Sequence, residues 1–320
     1  MATKPRIIVP NRFYHIHSIC SPELKAFKKL EMKNFFIEQL SITLETFSFN
    51  CIAWSLLDDH YHLVIKSTDH LLPLFMQRFN SVLAKESNRL NGRYGVVFAK
   101  RYSSIVIQDG IPLSDIVRYI HLNPVRKGIC TLEELDNYNW TGHRSIVNNI
   151  TDNIVNIGEL LAQFGDSDPL SKYKNFIKTG AEDQEVIKLV RKSNRGNLNF
   201  HESNCFIIGD KNFTGKVLEE DQCRKARIAR YIRENVTLDK MLEKVRACID
   251  IDKEDIFRQG NLNEISTARQ LFAIIGHYHF EFKCIDIAKY LNITGSAVSS
   301  MIARSKRIVG LDFLKKMICT

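Results

Sequence analysis

Residues 50–67 read NCIAWSLLDDHYHLVIKS and predict the fold of the first half of the chain. Apolar residues lie on both sides of Asp58 and Asp59, which predicts two buried strands joined by a polar corner. His60 and His62 begin the second strand, and side chains two residues apart on a strand point to the same face. Two imidazoles held at the end of a rigid strand can form half of a metal site. The other half has to come from elsewhere in the chain.

Strand and helix patterns alternate around this hairpin. Phe13–Cys20 alternates as a first strand, and the amphipathic segments 23–47 and 71–90 predict helices. A further strand is expected over 103–108 and a third helix over 111–122. The order β-α-β-β-α-β followed by a helix is typical of an α+β fold with a ferredoxin-like antiparallel sheet and covering helices.

The first strand carries a second histidine pair, His15 and His17, with the same spacing as His60 and His62. We interpret this pair as structural imidazoles that hydrogen-bond to neighbouring strands. A metal role for the pair is the alternative.

The charge of the chain favours an anionic partner. The 320 residues carry a formal net charge of +9, and the pI is about 9.1. Residues 72–130 hold nine Lys or Arg residues and three acidic residues, so about two-thirds of the net charge lies there. A solvated basic face would give the same count, and charge alone does not decide between the two.

The eight cysteines indicate a reducing compartment. None forms a Cys-x-x-Cys pair, which argues against a zinc ribbon or a thioredoxin-type motif. Scattered single cysteines are typical of a cytoplasmic protein. The sequence shows no signal peptide and no apolar run of membrane-spanning length, so we expect a cytoplasmic protein without a membrane partner.

Residues 118–128 read RYIHLNPVRKG and provide a candidate second half of the site. Tyr119 and Asn123 are four apart and so share a helix face. Pro124 disfavours helical geometry at the residue before it, so the helix is expected to end at Asn123. The amide oxygen of Asn123 can then reach a cation, with Tyr119 one turn back beside the same cation. His121 points elsewhere and is expected to be structural.

Together, these two stretches resemble the REP-associated tyrosine transposases, a branch of the single-tyrosine HUH transposase family related to IS200. The resemblance rests on Ala53-Trp54, on Asp59-His60-Tyr61-His62-Leu63, and on Tyr119-Ile120-His121-Leu122-Asn123-Pro124-Val125-Arg126. The basic segment Val97–Tyr102 between them is similar to one in that family, and the whole likeness covers about residues 10–147. Two differences stand out: Leu57-Asp58-Asp59 replaces the usual Met-Pro-Asn, and the Arg-Gly that often follows the first strand is missing.

The resemblance implies cleavage and rejoining of single-stranded DNA through a covalent 5′-phosphotyrosine, together with a divalent metal. It implies that Tyr119 is the nucleophile and that His60, His62 and Asn123 bind the metal. Two neutral imidazoles and an amide leave the ion its full charge, and mixed nitrogen and oxygen ligands suit Mn²⁺ and tolerate Mg²⁺. A core role is the alternative for Tyr119. Asp58 and Asp59 are interpreted as a plain turn, and the alternative is a carboxylate that shifts the metal affinity or adds a ligand.

An enzyme of this class needs cations for the phosphate backbone, and a plain surface charge is the alternative for each one. The candidates are basic side chains close to the two motifs: Arg78, Arg93, Lys100, Arg101, Arg118, Arg126 and Lys127. The expected partner is single-stranded DNA with hairpin-forming repeats. The sequence leaves monomer and homodimer open.

The last part of the chain predicts a helix-turn-helix. Ile285, Ala288 and Leu291 line one helix, a turn follows at 292–295, and Val298 lies on the next helix. This pattern is similar to the DnaA-type DNA-binding domain, which implies duplex contacts through Ser299, Arg304 and Arg307. A helical hairpin in a bundle is the alternative.

Three domains are therefore expected: a transposase domain over 1–150, a helical extension over 151–230 and a DNA-binding domain over 231–320. Two other functions compete with the transposase interpretation. One is a catalytically silent DNA-binding regulator with the same fold, and the other is a metal-dependent hydrolase of a different substrate.

Overall fold

The computed structural model describes residues 6–21, 23–67, 70–180, 206–246, 254–257, 263–278 and 280–304. The chain divides into two compact units. Met1–Glu45 and Phe49–Glu219 form the first, and Thr46–Ser48 and Glu220–Thr320 form the second.

The described strands of the first unit form one five-stranded sheet, with the order β2-β3-β1-β4-β5. Its first four strands pair antiparallel, and β5 lies parallel to β4 at the edge. The order of the first four is that of a ferredoxin-like sheet, so the predicted α+β fold class is confirmed. The strands are β1 Arg12–Ile19, β2 Asn50–Leu56, β3 His60–Ser67, β4 Ser103–Ile107 and β5 Ile207–Ile208.

Helices cover both faces of this sheet. They are α1 Leu30–Phe47, α2 Leu72–Leu90, α3 Ile111–His121, α4 Asn123–Arg126, α5 His143–Val147, α6 Ile157–Leu161 and α7 Pro169–Thr179. Short 3₁₀ helices occupy Leu135–Asn137 and Ala162–Phe164, and α8 Lys211–Arg233 crosses the division between the units.

One face of the sheet is packed with aromatic side chains from α1 and α2. The ring of Phe36 lies 5.2 Å from that of Tyr61 and 5.3 Å from that of Phe79, measured between centroids. Tyr61 is on β3 and is fully buried. Because side chains alternate along a strand, Tyr61 on this face forces His60 and His62 onto the other.

The opposite face is covered by α3 and by helices that follow residue 150. Leu160, Tyr173 and Ile177 are buried in the same apolar cluster as Val117 of α3 and Val64 of β3. The boundary expected at 150 therefore lies inside the first unit, where the helices after it complete the core.

Two predicted helix ends differ from the structure. The first helix was expected from residue 23 but begins at Leu30, because the backbone N–H of Phe27 bonds to the Asp58 carbonyl of the hairpin corner and Phe27 is buried. The helix expected to end at Asn123 ends at His121, and one further turn, α4, starts at Asn123 itself. Proline is tolerated in the first turn of a helix, where its missing N–H would have no partner, so Pro124 fits this restart.

The second unit is helical where the structure describes it. Its helices are α9 Leu238–Arg246, α10 Asn263–Tyr278, α11 Cys284–Tyr290 and α12 Gly295–Arg304, with a 3₁₀ turn at Asp255–Phe257. Thr294 caps α12, since its hydroxyl accepts a hydrogen bond from the Ala297 N–H at 3.2 Å. The two short helices and the turn at 291–294 occur where the sequence predicted them, and their binding to DNA stays a prediction. Within the described part of the chain, no helix is both long and apolar enough to cross a bilayer.

Candidate active site

The pairing of β1 with β3 brings four histidines to one end and one face of the sheet. His17 lies opposite His62, and Ile19 lies opposite His60. One ring nitrogen each from His17, His60 and His62 lies within 4.8 Å of the other two. His17 therefore lies beside the predicted metal pair, close enough for the three nitrogens to approach one ion.

Each histidine of the predicted pair has one ring nitrogen held by a neighbour. The Nδ1 atom of His60 lies 2.6 Å from Oδ1 of Asp59, and Nδ1 of His62 lies 2.9 Å from Nε2 of His15. These contacts leave Nε2 as the nitrogen that each ring can offer to a metal. A partner on the far nitrogen fixes the tautomer and orientation of a ligating histidine, and a carboxylate partner also makes the ring more basic.

Burial keeps the imidazoles of His15, His17 and His62 neutral. It lowers the pKa of His15 to about 3 and holds the pKa of His62 well below its ordinary value. The pKa of His17 is also well below the ordinary value, mainly through burial, and unfavourable electrostatic interactions with His60, His15 and Lys100 add to the effect. Neutral imidazole is the form that ligates a metal.

Tyr119 of α3 lies beside this cluster. Its ring centroid is 5.7 Å from that of His62 and 6.1 Å from that of His15, with both pairs arranged edge to face. The side chain is half-buried and packs against the apolar core on one side. The strand histidines and the tyrosine of the two sequence motifs therefore meet in space.

Arg126 holds the other side of Tyr119. Its guanidinium lies over the Tyr119 ring, 4.5 Å from the centroid, and donates a hydrogen bond to the Tyr119 carbonyl oxygen. Its charge also contributes to the lowered pKa of His62, after burial and the neighbouring histidines. A fixed cation at this position favours negative charge on a nearby phenol or phosphate oxygen.

Asn123 is 3% exposed and is the first residue of α4. Its Nδ2 atom is buried and has no hydrogen-bond partner among the described residues. A buried amide without a partner needs a ligand, an ion or a water to satisfy it. If the amide group is rotated by 180°, its oxygen takes the place of Nδ2, and an amide oxygen can coordinate a cation. This side chain therefore fits a role in holding a metal or a phosphate.

Apart from Arg126, the predicted DNA-binding residues divide into three groups. In the first group, Lys100 and Lys127 are exposed near the histidines. Lys100 contributes to the lowered pKa of His17. Lys127 contributes to the lowered pKa of Asp59, for which the hydrogen bond from His60 is the main cause. Arg101 is exposed, while Arg78 and Arg93 are half-buried.

Arg118 belongs to the second group, because it is engaged inside the protein. It bonds to Asp115 at 3.0 Å and lies 4.1 Å from the centroid of the Phe176 ring. We leave it out of the proposed DNA surface.

The third group lies in the C-terminal unit. Ser299 uses its hydroxyl to bond to the Gly295 carbonyl at 2.9 Å, inside its own helix. The side chain of Arg304 and the whole of Arg307 lie outside the described residues, so their predicted duplex contacts stay predictions.

Two features of this site were given only as alternatives in the sequence interpretation. His17 was taken as structural although its spacing repeats that of His60 and His62, and Asp59 was taken as a plain turn residue. The spacing was a usable signal for His17, whereas its register opposite His62 is known only from the folded sheet. The adjacency of Asp59 to His60 was the corresponding signal for the carboxylate.

Comparisons with known proteins found a matching family model and similar solved structures. Residues 9–123 match the family model described as IS200-like transposase. A solved structure, described as a REP-associated tyrosine transposase bound to a REP hairpin, is similar to this chain, with 15% identity and a TM-score of 0.38. The match covers 47% of this chain and 88% of that one. No curated protein matches the chain. Residues 9–123, which include the candidate site residues His60, His62, Tyr119 and Asn123, are therefore similar to the IS200-like transposases.

Proposed function

We propose that the protein is a metal-dependent tyrosine transposase that cleaves and rejoins single-stranded DNA at hairpin-forming repeats. The observation that carries the proposal is the position of Tyr119, whose ring lies 5.7 Å from His62 beside three imidazoles that can share one ion. The match of residues 9–123 to the IS200-like transposase model supports the same reaction.

The residues present fit a divalent metal, Mg²⁺ or Mn²⁺. His60 and His62 are held with Nε2 available, and Asn123 has a buried amide that lacks a partner among the described residues. When bound, such an ion supplies Lewis-acid stabilisation of a phosphate as charge develops in the transition state.

The reaction itself needs an oxygen nucleophile and a stabilised phosphate. The Tyr119 hydroxyl oxygen attacks the scissile phosphorus, the bond from phosphorus to the 3′ oxygen breaks, and that oxygen leaves as a 3′-hydroxyl with the proton that the phenol gives up. The 5′ phosphate stays on Tyr119 as an ester, so a 3′-hydroxyl can attack it and rejoin the strand. Arg126, stacked on Tyr119, orients the phenol and favours the negative charge on its oxygen as the proton leaves.

Exposed cations near the histidines would hold the DNA backbone. Lys100, Arg101 and Lys127 are exposed. The segment from Arg93 to Lys100 approaches the end of β1 at residues 97–99, where the Ala99 N–H bonds to the Ile19 carbonyl at 3.0 Å. Tyr94 in this segment is 96% exposed. An exposed aromatic ring among cations is a platform on which an unpaired base can stack.

The C-terminal unit is the candidate for duplex contacts. The capped helix α12 follows α11 after the short turn at 291–294, and a helix presented in this way can enter a major groove. We assign this unit the stem of a hairpin or the flanking duplex, and we place the activity in the cytoplasm, where DNA is accessible.

A covalent-adduct assay tests the proposal. Full-length protein is incubated with an end-labelled single-stranded hairpin oligonucleotide and Mn²⁺, and the products are separated on a denaturing gel. We expect a labelled protein band from the wild type and from Tyr290→Phe, a matched change at a half-buried tyrosine of the second unit, and none from Tyr119→Phe.

Two results would overturn the proposal. DNA binding without any adduct in the wild type would indicate a catalytically silent regulator. Cleavage that survives Tyr119→Phe would indicate a metal-dependent hydrolase instead.

A further inference from the structure

We propose that His17 is a third imidazole ligand, and that this site therefore selects a first-row transition-metal ion over Mg²⁺. The inference rests on the metal-binding half of the proposed function and does not depend on DNA cleavage by Tyr119.

The first argument is the position of His17. It lies opposite His62 in the pairing of β1 with β3, and its ring centroid is 4.6 Å from that of His62 and 5.4 Å from that of His60. Three nitrogens bound tetrahedrally at about 2.1 Å from one ion lie about 3.4 Å apart. The nitrogens here lie within 4.8 Å of one another, so they need to close by at most about 1.4 Å. A tilt of the His17 ring away from its stack on His62 provides that movement.

The second argument is the unmet polarity of His17. Its Nδ1 atom is buried and has no hydrogen-bond partner among the residues that the structure describes. A buried ring nitrogen without a partner is costly and calls for a ligand that is absent from the protein itself. His60 and His62 differ in this respect, because Asp59 and His15 already occupy one nitrogen of each.

The third argument is the chemistry of the donor set. Mg²⁺ prefers six oxygen ligands and is bound through carboxylates, waters and phosphates. Imidazole favours the later first-row ions such as Co²⁺, Ni²⁺ and Zn²⁺, and a set of three imidazoles strengthens that preference over a pair. The carboxylate of Asp59 is turned to Nδ1 of His60.

Metal binding in the absence of DNA tests the inference. Full-length protein is stripped with a chelator and titrated separately with Co²⁺, Mn²⁺ and Mg²⁺ by calorimetry. Pulsed EPR on the Mn²⁺ complex then counts the imidazole nitrogens coupled to the ion. We expect three imidazoles in the wild type and two in His17→Gln.

We also expect His17→Gln to weaken Co²⁺ and Mn²⁺ binding by about 10-fold or more, as loss of a metal contact does, and to leave Mg²⁺ binding within about twofold. His277→Gln, at a half-buried histidine of the second unit, is the matched control and should change nothing.

A count of two imidazoles in the wild type overturns the inference, and that result does not depend on whether any variant folds. Unchanged Co²⁺ affinity in a folded His17→Gln also overturns it and leaves His17 as a stacking residue. A count of three with no covalent adduct on DNA would sustain the inference while the proposed function fails.

Discussion

Asp59 contacts His60 of the proposed metal site, and replacing it by asparagine should weaken metal binding without removing a ligand. The carboxylate accepts a hydrogen bond from Nδ1 of His60 at 2.6 Å, and this bond is the main reason that the pKa of Asp59 is lowered. Asparagine keeps an oxygen acceptor of the same shape but loses the negative charge that makes the imidazole more basic.

The size of the effect follows from exposure. Changes to the partners of metal ligands typically cost 10- to 100-fold in affinity, or about 1.4 to 2.7 kcal/mol. The Asp59 side chain is 50% exposed, so solvent screens its charge and the lower end applies. We expect Asp59→Asn to weaken Mn²⁺ binding about 10-fold.

The neighbouring residue provides the control. Asp58 faces Lys33, at 3.0 Å, and not a histidine, so Asp58→Asn removes an equal charge from the same corner. Calorimetric titration with Mn²⁺ should give wild-type affinity, within about twofold, for Asp58→Asn. Equal losses in both variants would mean that only net charge matters, and wild-type affinity in Asp59→Asn would refute the assigned role of its carboxylate.

Three further predictions concern stability and DNA binding. Burial holds the pKa of His121 well below 6.5, so this histidine takes up a proton on unfolding and stability falls as the pH drops below 6.5. The loss of unfolding free energy between pH 7.5 and pH 5.5, measured by urea unfolding, should be smaller in His121→Phe than in the wild type by up to about 1.4 kcal/mol; an equal loss in both proteins contradicts this. Gly142→Ala would place Cβ 3.0 Å from Trp54 and should cost about 1–3 kcal/mol in urea unfolding, whereas Gly215→Ala, with open space on α8, should stabilise by about 0.5–1 kcal/mol; equal effects would refute the packing argument. Tyr94→Ala should weaken single-strand affinity, measured by fluorescence anisotropy, by about 1–3 kcal/mol and Tyr94→Phe should not; wild-type affinity in Tyr94→Ala would exclude base stacking.

Much of the fold could be read from local sequence pattern. The hairpin at 50–67 was predicted because apolar runs flank a polar corner, and its strands are observed at Asn50–Leu56 and His60–Ser67. Local pattern failed where a distant contact decides the backbone. Phe27 lies outside the expected helix because its backbone bonds to the hairpin corner. Tyr173 packs into the core of the first unit, although the sequence analysis placed the end of that domain at residue 150.

The candidate site likewise combines residues that local motifs predict with one whose position depends on the fold. His60, His62 and Tyr119 were predicted from two motifs, and the fold places the rings of His62 and Tyr119 side by side. The contribution of His17 depends on the register that sets it opposite His62, and sequence spacing does not specify register between strands separated by a helix.

The central claim is that Tyr119, held beside the imidazoles of β1 and β3, takes the 5′ phosphate of cleaved DNA. Trypsin cuts after Arg118 and Arg126, so peptide 119–126 contains Tyr119 as its sole tyrosine. After reaction with a single-stranded hairpin and Mn²⁺, and digestion with nuclease and trypsin, tandem mass spectrometry should find a phosphate-linked nucleotide on Tyr119 of this peptide. A nucleotide on any other residue, or cleaved DNA with peptide 119–126 unmodified, would contradict the account.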